Sequence, residues 1–275
     1  MLRLLLLFLA TLDVSLSTDT LKQGEILYVS VYSDEPGLVS FYYRGDPYHL
    51  VPWKDKLVAM IGTSYHTNPG RKDVRIVFRQ GFTEEVIDTA VHVVAASFRK
   101  SVITLPPSKQ HTIDQSQKER KKKEYEEVMD AISAPSGPFF SLLPETFPCA
   151  RKISGTYGDE RWSDGRKLWH HSGLDLAVAE GTPILAPCAG QVVMARDTFI
   201  RQGTFVILDH GMGMKSLYYH MIKKKVEDGQ IVQTGDTLGF VGSTGIATGP
   251  HLHMSLYVHG VPVDPLFWLE RKEPF

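Results

Sequence analysis

The chain has 275 residues, of which 43% are hydrophobic and 22% are charged, with 30 basic and 31 acidic side chains. This apolar content is enough for a sizeable core, and the length is close to that of two ordinary domains. Balanced charge gives no general attraction to nucleic acid, so we expect no nucleic-acid partner. The two cysteines, Cys149 and Cys188, are too few for a disulfide scaffold or a thiolate zinc site. Whether they pair or remain free thiols is left open.

The first 17 residues are typical of a cleaved signal peptide. Arg3 supplies a positive charge, residues 4–12 are nearly all apolar, and small residues follow at positions 15 and 17. The apolar run is shorter than the roughly 20 residues of a membrane span, so we expect no stable membrane span after signal removal. A buried N-terminal strand is the alternative. The sequence therefore predicts an exported protein, either periplasmic or extracellular.

Residues 18–107 are predicted to form a small β-sandwich-like domain. Short runs rich in β-branched and aromatic residues alternate with turn residues. The predicted strands are Ile26–Tyr32, Val39–Tyr43, Val74–Phe78 and Val86–Ala95. This domain contains no catalytic constellation in its sequence, and its histidines are interpreted as structural or surface residues.

Residues 108–146 are predicted to form a connecting helix followed by a stiff linker. Ser116 and Glu119 match a capping box at the start of a charged helix that runs to about Ser133. Prolines and a glycine between positions 135 and 138 end it. The basic run at 120–123 is flanked by glutamates and is interpreted as solvated helix surface.

Residues 147–275 are predicted to form a second all-β domain built on an antiparallel sheet. Its candidate strands lie between glycine-rich turns. They are Leu174–Val178, Gln191–Ala195, Thr204–Asp209, Lys215–Tyr219, Thr237–Val241 and His251–Val258. No helical periodicity of any length appears there. The predicted fold class is therefore all-β, with an N-terminal sandwich, a connecting helix and a C-terminal antiparallel sheet.

Imidazole and carboxylate side chains are concentrated in this second domain, and both suit catalytic zinc. His251 and His253 are two apart at the start of a strand, so both face one site. His171 and Asp175 would lie about 13 Å apart on a straight strand. Sharing one metal therefore requires a backbone bend, which Gly173 permits.

A series of short sequence motifs in the second domain resembles those of the lysostaphin-type (LytM-like) zinc metallopeptidases, a family of peptidoglycan endopeptidases. The motifs occur in the family's order at residues 171–175, 181–183, 186–187, 190–193, 209–211, 218–220, 241–245, 248–253 and 263–266. The resemblance covers about residues 147–270. It implies a catalytic domain of duplicated-hairpin-like β structure.

The resemblance also implies a role for each of five residues. His171, Asp175 and His253 match the three zinc ligands, for one zinc ion per chain, and His220 and His251 match the two catalytic histidines. Zinc would activate a water molecule, while the two histidines serve as general base and as stabiliser of the oxyanion. Which histidine takes which role is left open. The loops at 155–169, 196–203 and 221–225 are expected to wall the groove.

The resemblance therefore predicts an exported zinc metalloendopeptidase that cleaves cross-links or stem peptides of bacterial peptidoglycan. The alternative is a catalytically silent or latent wall-binding or regulatory protein on the same scaffold, and the complete set of five residues favours the enzyme. Peptidoglycan peptides are the expected partner. The oligomeric state is left open by the sequence, and we expect a monomer. The bond that is cut, and whether the N-terminal domain inhibits or targets, are left open as well.

Overall fold

The computed structural model describes residues 12–104, 106–112, 115, 117–163 and 165–273. Strands β1 to β10 are Leu12–Leu16, Thr20–Lys22, Ile26–Ser33, Leu38–Tyr43, Asp46–Tyr48, Val51–Trp53, Lys56–Gly62, Gly70–Gln80, Thr83–Val94 and Lys100–Val102. A 3₁₀ helix, Pro107–Thr112, and helix α1, Lys118–Ser133, follow. Strands β11 to β22 are Ile153–Gly155, Glu160–Ser163, Arg166–His170, Gly173–Leu176, Pro183–Leu185, Gly190–Phe199, Gly203–Gly211, Met214–Lys224, Ile231–Val232, Thr237–Val241, Leu252–Val258 and Val261–Val263. Helix α2, Pro265–Leu269, follows β22.

The N-terminal strands form two facing sheets. One has the strand order β1-β3-β7-β6 and the other the order β2-β9-β8-β4-β5. Neighbouring strands are antiparallel except β2 and β9, which run parallel. Val29, Phe41 and Ile76 come from both sheets and share one apolar core. This arrangement confirms the predicted sandwich.

The four-stranded sheet of the sandwich is covered on both faces. Leu27 and Ala59 belong to the sandwich core, whereas their strand neighbours Tyr28 and Met60 belong to the core of the C-terminal domain. Successive residues of a strand point to opposite faces, so β3 and β7 each contribute to both cores. The two domains therefore share an apolar interface in addition to the connecting segment.

The C-terminal domain is built on a ten-stranded sheet. Its main path is β11-β14-β21-β18-β17-β16-β19, with β15, β20 and β22 attached to its members. All of these strands pair antiparallel, which confirms the predicted C-terminal sheet. Helix α2 was missed by the prediction because it is only five residues long. Asp264 caps this helix by accepting a hydrogen bond from the Leu266 amide at 2.9 Å.

Helix α1 packs on the large sheet. Val128 and Ile132 contact a core that includes Phe205 and Leu217. The helix begins at Lys118 with Gln117 as its N-cap, one residue after the predicted N-cap at 116, which lies outside the described residues. The apolar face of α1 makes it part of the C-terminal domain's packing.

The opposite face of α1 carries the basic run at 120–123. Arg120, Lys122 and Lys123 are exposed, as predicted for solvated helix surface. Glu124 is the exception among the charged residues. It is buried and accepts hydrogen bonds from the Ile200 amide at 2.7 Å and from the Arg120 guanidinium at 2.7 Å.

The predicted signal peptide lies partly outside the described residues, which exclude residues 1–11. Within the remainder, Leu12–Leu16 forms β1 and pairs with β3, as in the alternative of an N-terminal strand. Cleavage near residue 17 and the domain boundaries stay predictions. In the part of the chain that the structure describes, no helix has the length and apolar character needed to cross a membrane.

Both cysteines are free thiols, so the disulfide that the sequence left open does not form in this structure. Burial raises the pKa of Cys149 to about 11 and that of Cys188 to about 12. Both side chains therefore remain protonated at neutral pH, in a form that is a poor nucleophile and a poor metal ligand.

Candidate metal centre

Three of the five predicted site residues lie on, or just before, two adjacent strands. Asp175 on β14 is the register partner of His253 on β21, and His171 precedes β14. Leu174 and Leu176 alternate with Asp175 and are fully buried in the core, as predicted. The pairing of β14 with β21 therefore brings together one carboxylate and two imidazoles.

Gly173 is required by a close backbone approach. A Cβ atom at this position would lie 2.2 Å from the Met254 carbonyl oxygen and 2.9 Å from His253 Nε2. The chain also bends here as predicted, because His171 Nε2 and Asp175 Oδ1 are only 2.9 Å apart. Glycine thus lets β14 and β21 come close enough to join their ligand atoms.

The three candidate ligands converge on one point. His171 Nε2 lies 2.9 Å from Asp175 Oδ1 and 3.0 Å from His253 Nδ1, and His253 Nδ1 lies 2.9 Å from Asp175 Oδ1. His171 and His253 are buried, with 4% and 7% of their surfaces exposed. Two imidazole nitrogens and one carboxylate oxygen are the donor set of many zinc sites.

Hydrogen-bond partners determine which ring nitrogens carry protons. His171 Nδ1 lies 2.8 Å from the Thr156 carbonyl oxygen, which accepts only, so Nδ1 donates. In the neutral ring, Nε2 is then an unprotonated donor atom directed at the cluster. His253 Nε2 lies 2.8 Å from the Ser255 hydroxyl, and donation to Ser255 leaves Nδ1 unprotonated. This pattern of outer hydrogen bonds is the one that orients metal-binding histidines.

Asp175 is held as a carboxylate by its surroundings. Burial favours its neutral form, but the neighbouring imidazoles of His171 and His253 hold its pKa well below the ordinary value. Its second oxygen, Oδ2, accepts a hydrogen bond from Arg161 Nη2 at 2.7 Å. Oδ1 is therefore the oxygen that faces the two histidines.

The two remaining predicted residues, His220 and His251, lie beside the cluster. Their ring centroids are 4.8 Å apart, and His251 Nε2 lies 3.7 Å from Asp175 Oδ1. His220 Nδ1 donates to the Thr244 carbonyl at 2.8 Å, and His251 Nδ1 donates to the Gly249 carbonyl at 2.9 Å. In both neutral rings Nε2 is the unprotonated nitrogen, available to accept a proton.

His220 occupies an unusual backbone conformation within β18. Its φ of 65° lies in the left-handed region, which is uncommon for residues other than glycine and occurs often at functional sites. Burial lowers its pKa well below 6.5, and the neighbouring histidines His251 and His253 act in the same direction. Burial likewise lowers the pKa of His253 to about 4. Both rings are neutral at pH 7, as proton acceptance and metal binding require.

The cluster lines a cavity of about 520 Å³. Trp169, Arg201 and Gln202 contribute to its wall from two of the loops that were expected to do so. The third expected loop, 221–225, is not among the lining residues. Gln202 also accepts a hydrogen bond from the His220 amide at 3.0 Å through its carbonyl, which connects this wall to the site.

Other parts of the cavity wall were not predicted. Tyr65 and His66 reach it from the sandwich, and Tyr125 and Met129 reach it from α1. Tyr65 stacks on His170, with ring centroids 4.7 Å apart, directly beside the candidate ligand His171. No motif marks these residues, because their place depends on domain packing. His66, interpreted from sequence as a structural or surface residue, is thus also a wall residue.

His210 is a buried histidine that lies outside the cavity wall. Its Nδ1 donates to the Ala189 carbonyl at 2.8 Å, and its Nε2 lies 2.7 Å from the Ser216 hydroxyl. Both ring nitrogens therefore have partners within the protein. Its surroundings are those of a residue that supports the fold.

Fold and site together define an all-β protein whose buried donor set suits a divalent metal ion such as zinc. Comparison with known proteins gives the family. Residues 169–265 match peptidase family M23. Over 101 residues the chain is 41% identical to the peptidoglycan DD-endopeptidase ShyA of Vibrio cholerae serotype O1, a match covering 37% of this chain and 23% of ShyA.

Two further proteins give the same result. Over 96 residues the chain is 38% identical to the DD-carboxypeptidase/endopeptidase Mpg of Neisseria meningitidis serogroup B, covering 35% of this chain and 22% of Mpg. A crystal structure described as a candidate peptidase M23 from Pseudomonas aeruginosa has a TM-score of 0.67 and 29% identity. That match covers 90% of this chain and 94% of the other.

Residues 169–265 match peptidase family M23, which confirms the predicted lysostaphin-type resemblance. The chain spans less than a quarter of the length of the two curated relatives. The likeness to the Pseudomonas structure, by contrast, extends over both domains.

Proposed function

We propose that this protein is an exported zinc metalloendopeptidase that hydrolyses peptide bonds in bacterial peptidoglycan. The observation that carries the proposal is the convergence of three metal-binding donor atoms, from His171, Asp175 and His253, at the wall of a cavity. The match to family M23 supports peptidase chemistry. The names of ShyA and Mpg support peptidoglycan as the substrate class.

His171, Asp175 and His253 would hold the metal. Zinc bound to them supplies a Lewis acid that favours ionisation of a water molecule and polarises a carbonyl group. The ionised Asp175 compensates the metal's charge, and the two imidazoles are oriented by Thr156 and Ser255. The protein thus prepares the donor atoms before any ligand arrives.

His220 and His251 would transfer protons and stabilise the negative charge that develops on the carbonyl oxygen. Each holds its Nδ1–H on a backbone carbonyl, so each ring is oriented with Nε2 unprotonated. One ring accepts the proton of the attacking water and later delivers it to the leaving amine. The other takes a proton from solvent at Nε2 and then stabilises the tetrahedral oxyanion through a hydrogen bond from that nitrogen.

The cavity wall fits a polymer that is both peptide and sugar. Trp169 and Arg201 lie close together, with the guanidinium 5.5 Å from the indole ring. Tyr65 of the sandwich lines the same cavity. Aromatic rings provide flat surfaces for sugar or peptide groups, and arginine binds carboxylates such as those of stem peptides.

The proposal is tested by mass spectrometry of fragments released from purified peptidoglycan. The full chain is incubated with the polymer in the presence of zinc, in the presence of a chelator, and as His253→Ala. We expect zinc-dependent release of cut peptides, absent with chelator and in the variant, and the fragment masses would identify the bond. Zinc binding without release from several wall types would contradict the enzyme and support a wall-binding or regulatory protein.

A further inference from the structure

A short segment ahead of α1 reaches the metal centre from outside the peptidase domain. Residues 99–101 precede both the family match at 169–265 and the domain predicted at 147–275. Strand β10 pairs in parallel with β12, and Ser101 is the register partner of Arg161. Strand β12 pairs in turn with β13, which leads directly to His171.

We propose that Arg99 and Ser101 are positioning residues of the metal centre, acting on the ligands His171 and Asp175 through two separate chains of contacts. The inference rests on the proposed zinc site. It implies that the segment between the two domains helps to orient the metal ligands.

The first chain of contacts leads to Asp175. Arg161 Nη1 donates to Ser101 Oγ at 3.0 Å, and Arg161 Nη2 donates to Asp175 Oδ2 at 2.7 Å. Both partners of the ion pair are shielded, with 10% and 14% of their side chains exposed. A shielded, charge-assisted hydrogen bond fixes the carboxylate rotation and directs Oδ1 to the histidines. Ser101 fixes the guanidinium from its other end.

The backbone leaves room for this ion pair at Gly155. A Cβ atom there would lie 2.4 Å from Arg161 Nη2 and 2.5 Å from Asp175 Oδ2. Any larger residue would displace one of the two groups. The position of the ion pair therefore depends on Gly155 in β11 as well as on the two strands that carry its members, β12 and β14.

The second chain of contacts leads to His171. Arg99 donates from Nε and Nη2 to the two carboxylate oxygens of Asp159, at 3.1 and 2.7 Å. Asp159 in turn accepts hydrogen bonds from the Thr156 amide at 3.2 Å and the Thr156 hydroxyl at 3.0 Å. The carbonyl of Thr156 then accepts from His171 Nδ1 at 2.8 Å, which sets the tautomer of the ligand.

Burial of Asp159 distinguishes the Arg99–Asp159 ion pair from an ordinary surface ion pair. Asp159 has a side chain that is 1% exposed, whereas that of Arg99 is 65% exposed. Removing Arg99 would leave a buried carboxylate without its cation, and such a group shifts or takes a proton. Arg75 offers a matched control, because it makes the same two-bond contact with Asp88 on an exposed strand face.

The test measures zinc affinity by competition with a chromogenic chelator in the full chain. For Arg161→Gln we expect about 10- to 100-fold weaker binding, as for other outer partners of metal ligands. The double variant Arg99→Gln/Ser101→Ala should bind about tenfold more weakly. Arg161→Lys should recover part of the loss, and Arg75→Gln should match the wild type. Thermal unfolding checks that every variant is folded.

A second readout does not depend on metal or turnover. In the metal-free protein, ¹⁵N NMR of the imidazoles should show His171 as the Nδ1–H tautomer in the wild type and in Arg75→Gln. Arg99→Gln should show a mixture of tautomers. Zinc affinities within about twofold of wild type and an unchanged tautomer would overturn the inference. A wild type that binds no zinc would refute the proposed function, while the tautomer measurement would still decide the positioning role.

Discussion

The two domains differ in how many charged and imidazole side chains they bury. The sandwich displays ion pairs on the exposed face of β8 and β9, namely Arg71–Asp73, Arg75–Asp88 and Arg79–Glu84. The C-terminal domain also carries exposed ion pairs, such as Arg196–Asp228. In addition it buries charged and imidazole side chains, among them His171, Asp209, His210, Lys215, His220 and His253. Exposed pairs contribute little stability, whereas a buried polar group costs free energy unless it is hydrogen-bonded.

Buried polar groups of the C-terminal domain fall into two sets. Away from the cavity, their partners lie within the protein: Lys215 Nζ donates to the Ala134 carbonyl at 2.7 Å and lies 4.0 Å from Asp209. At the cavity, Nε2 of His171 and Nδ1 of His253 face a carboxylate oxygen. Burial alone therefore does not identify the metal centre. The distinguishing feature is a set of buried metal-binding atoms that face one another.

The largest effect is expected for the two histidines beside the cluster. His220→Ala and His251→Ala should each lower kcat by about 10²- to 10⁴-fold, because general acid–base catalysis contributes that much. Bound zinc should be retained, since neither residue is a proposed ligand. Steady-state kinetics with zinc analysis of the same samples checks this. Zinc loss equal to that of His253→Ala would contradict the division between ligands and proton-transfer residues.

A smaller effect is expected where α1 packs on the sheet. Ile132→Ala should lower the free energy of unfolding by about 2 to 5 kcal/mol, because it removes a side chain that is 2% exposed in a packed core. Urea unfolding measures the change. Lys123→Ala, on the exposed face of the same helix, is the control and should leave the unfolding midpoint unchanged. Equal midpoints for Ile132→Ala and wild type would show that α1 is not docked.

A pH-dependent effect is expected from His210. Burial lowers its pKa below 6.5 in the folded protein, although the hydrogen bond to Ala189 and the charge of Asp209 oppose the shift. As the pH falls below 6.5, the unfolded chain binds a proton that the folded chain excludes, so this contribution to stability is lost. Between pH 6.5 and 5, wild type should therefore lose more stability than His210→Gln. The exposed His92→Gln should follow wild type, and identical profiles for wild type and His210→Gln would contradict the assignment.

The smallest effect is expected for the exposed ion pairs of the sandwich. Arg75→Gln should leave the unfolding midpoint and zinc affinity unchanged, because both Arg75 and Asp88 are well exposed and screened by solvent. Thermal unfolding at low and high salt measures this. A clear drop in the midpoint would show that the contrast between the two domains is wrong.

The sequence predicts strands best where β-branched and aromatic residues are concentrated. Strand β9, with buried residues at 91 and 93, was recognised in this way. Strand β7 was missed although β3, which is likewise covered on both faces, was predicted. The buried run of β7 from Val58 to Ile61 includes Ala59 and Met60, which are less typical of strands than the β-branched and aromatic residues of β3. Such a run has no distinctive period and is easily lost between neighbouring turns.

The candidate site was predictable because its residues fall in short, ordered motifs. His251 and His253 do line one cavity, as their spacing indicates. Arg161 was missed as a partner of Asp175, because a contact across several strands leaves no local pattern. The parallel pairing of β10 with β12 joins residues far apart in the chain and was missed for the same reason.

The most direct test of the metal centre is the zinc content of the purified full chain, measured by elemental mass spectrometry after dialysis against metal-free buffer. We expect one zinc ion per chain for the wild type and almost none for Asp175→Ala. A folded wild type that holds no zinc, or an Asp175→Ala variant that holds as much as wild type, would contradict this expectation.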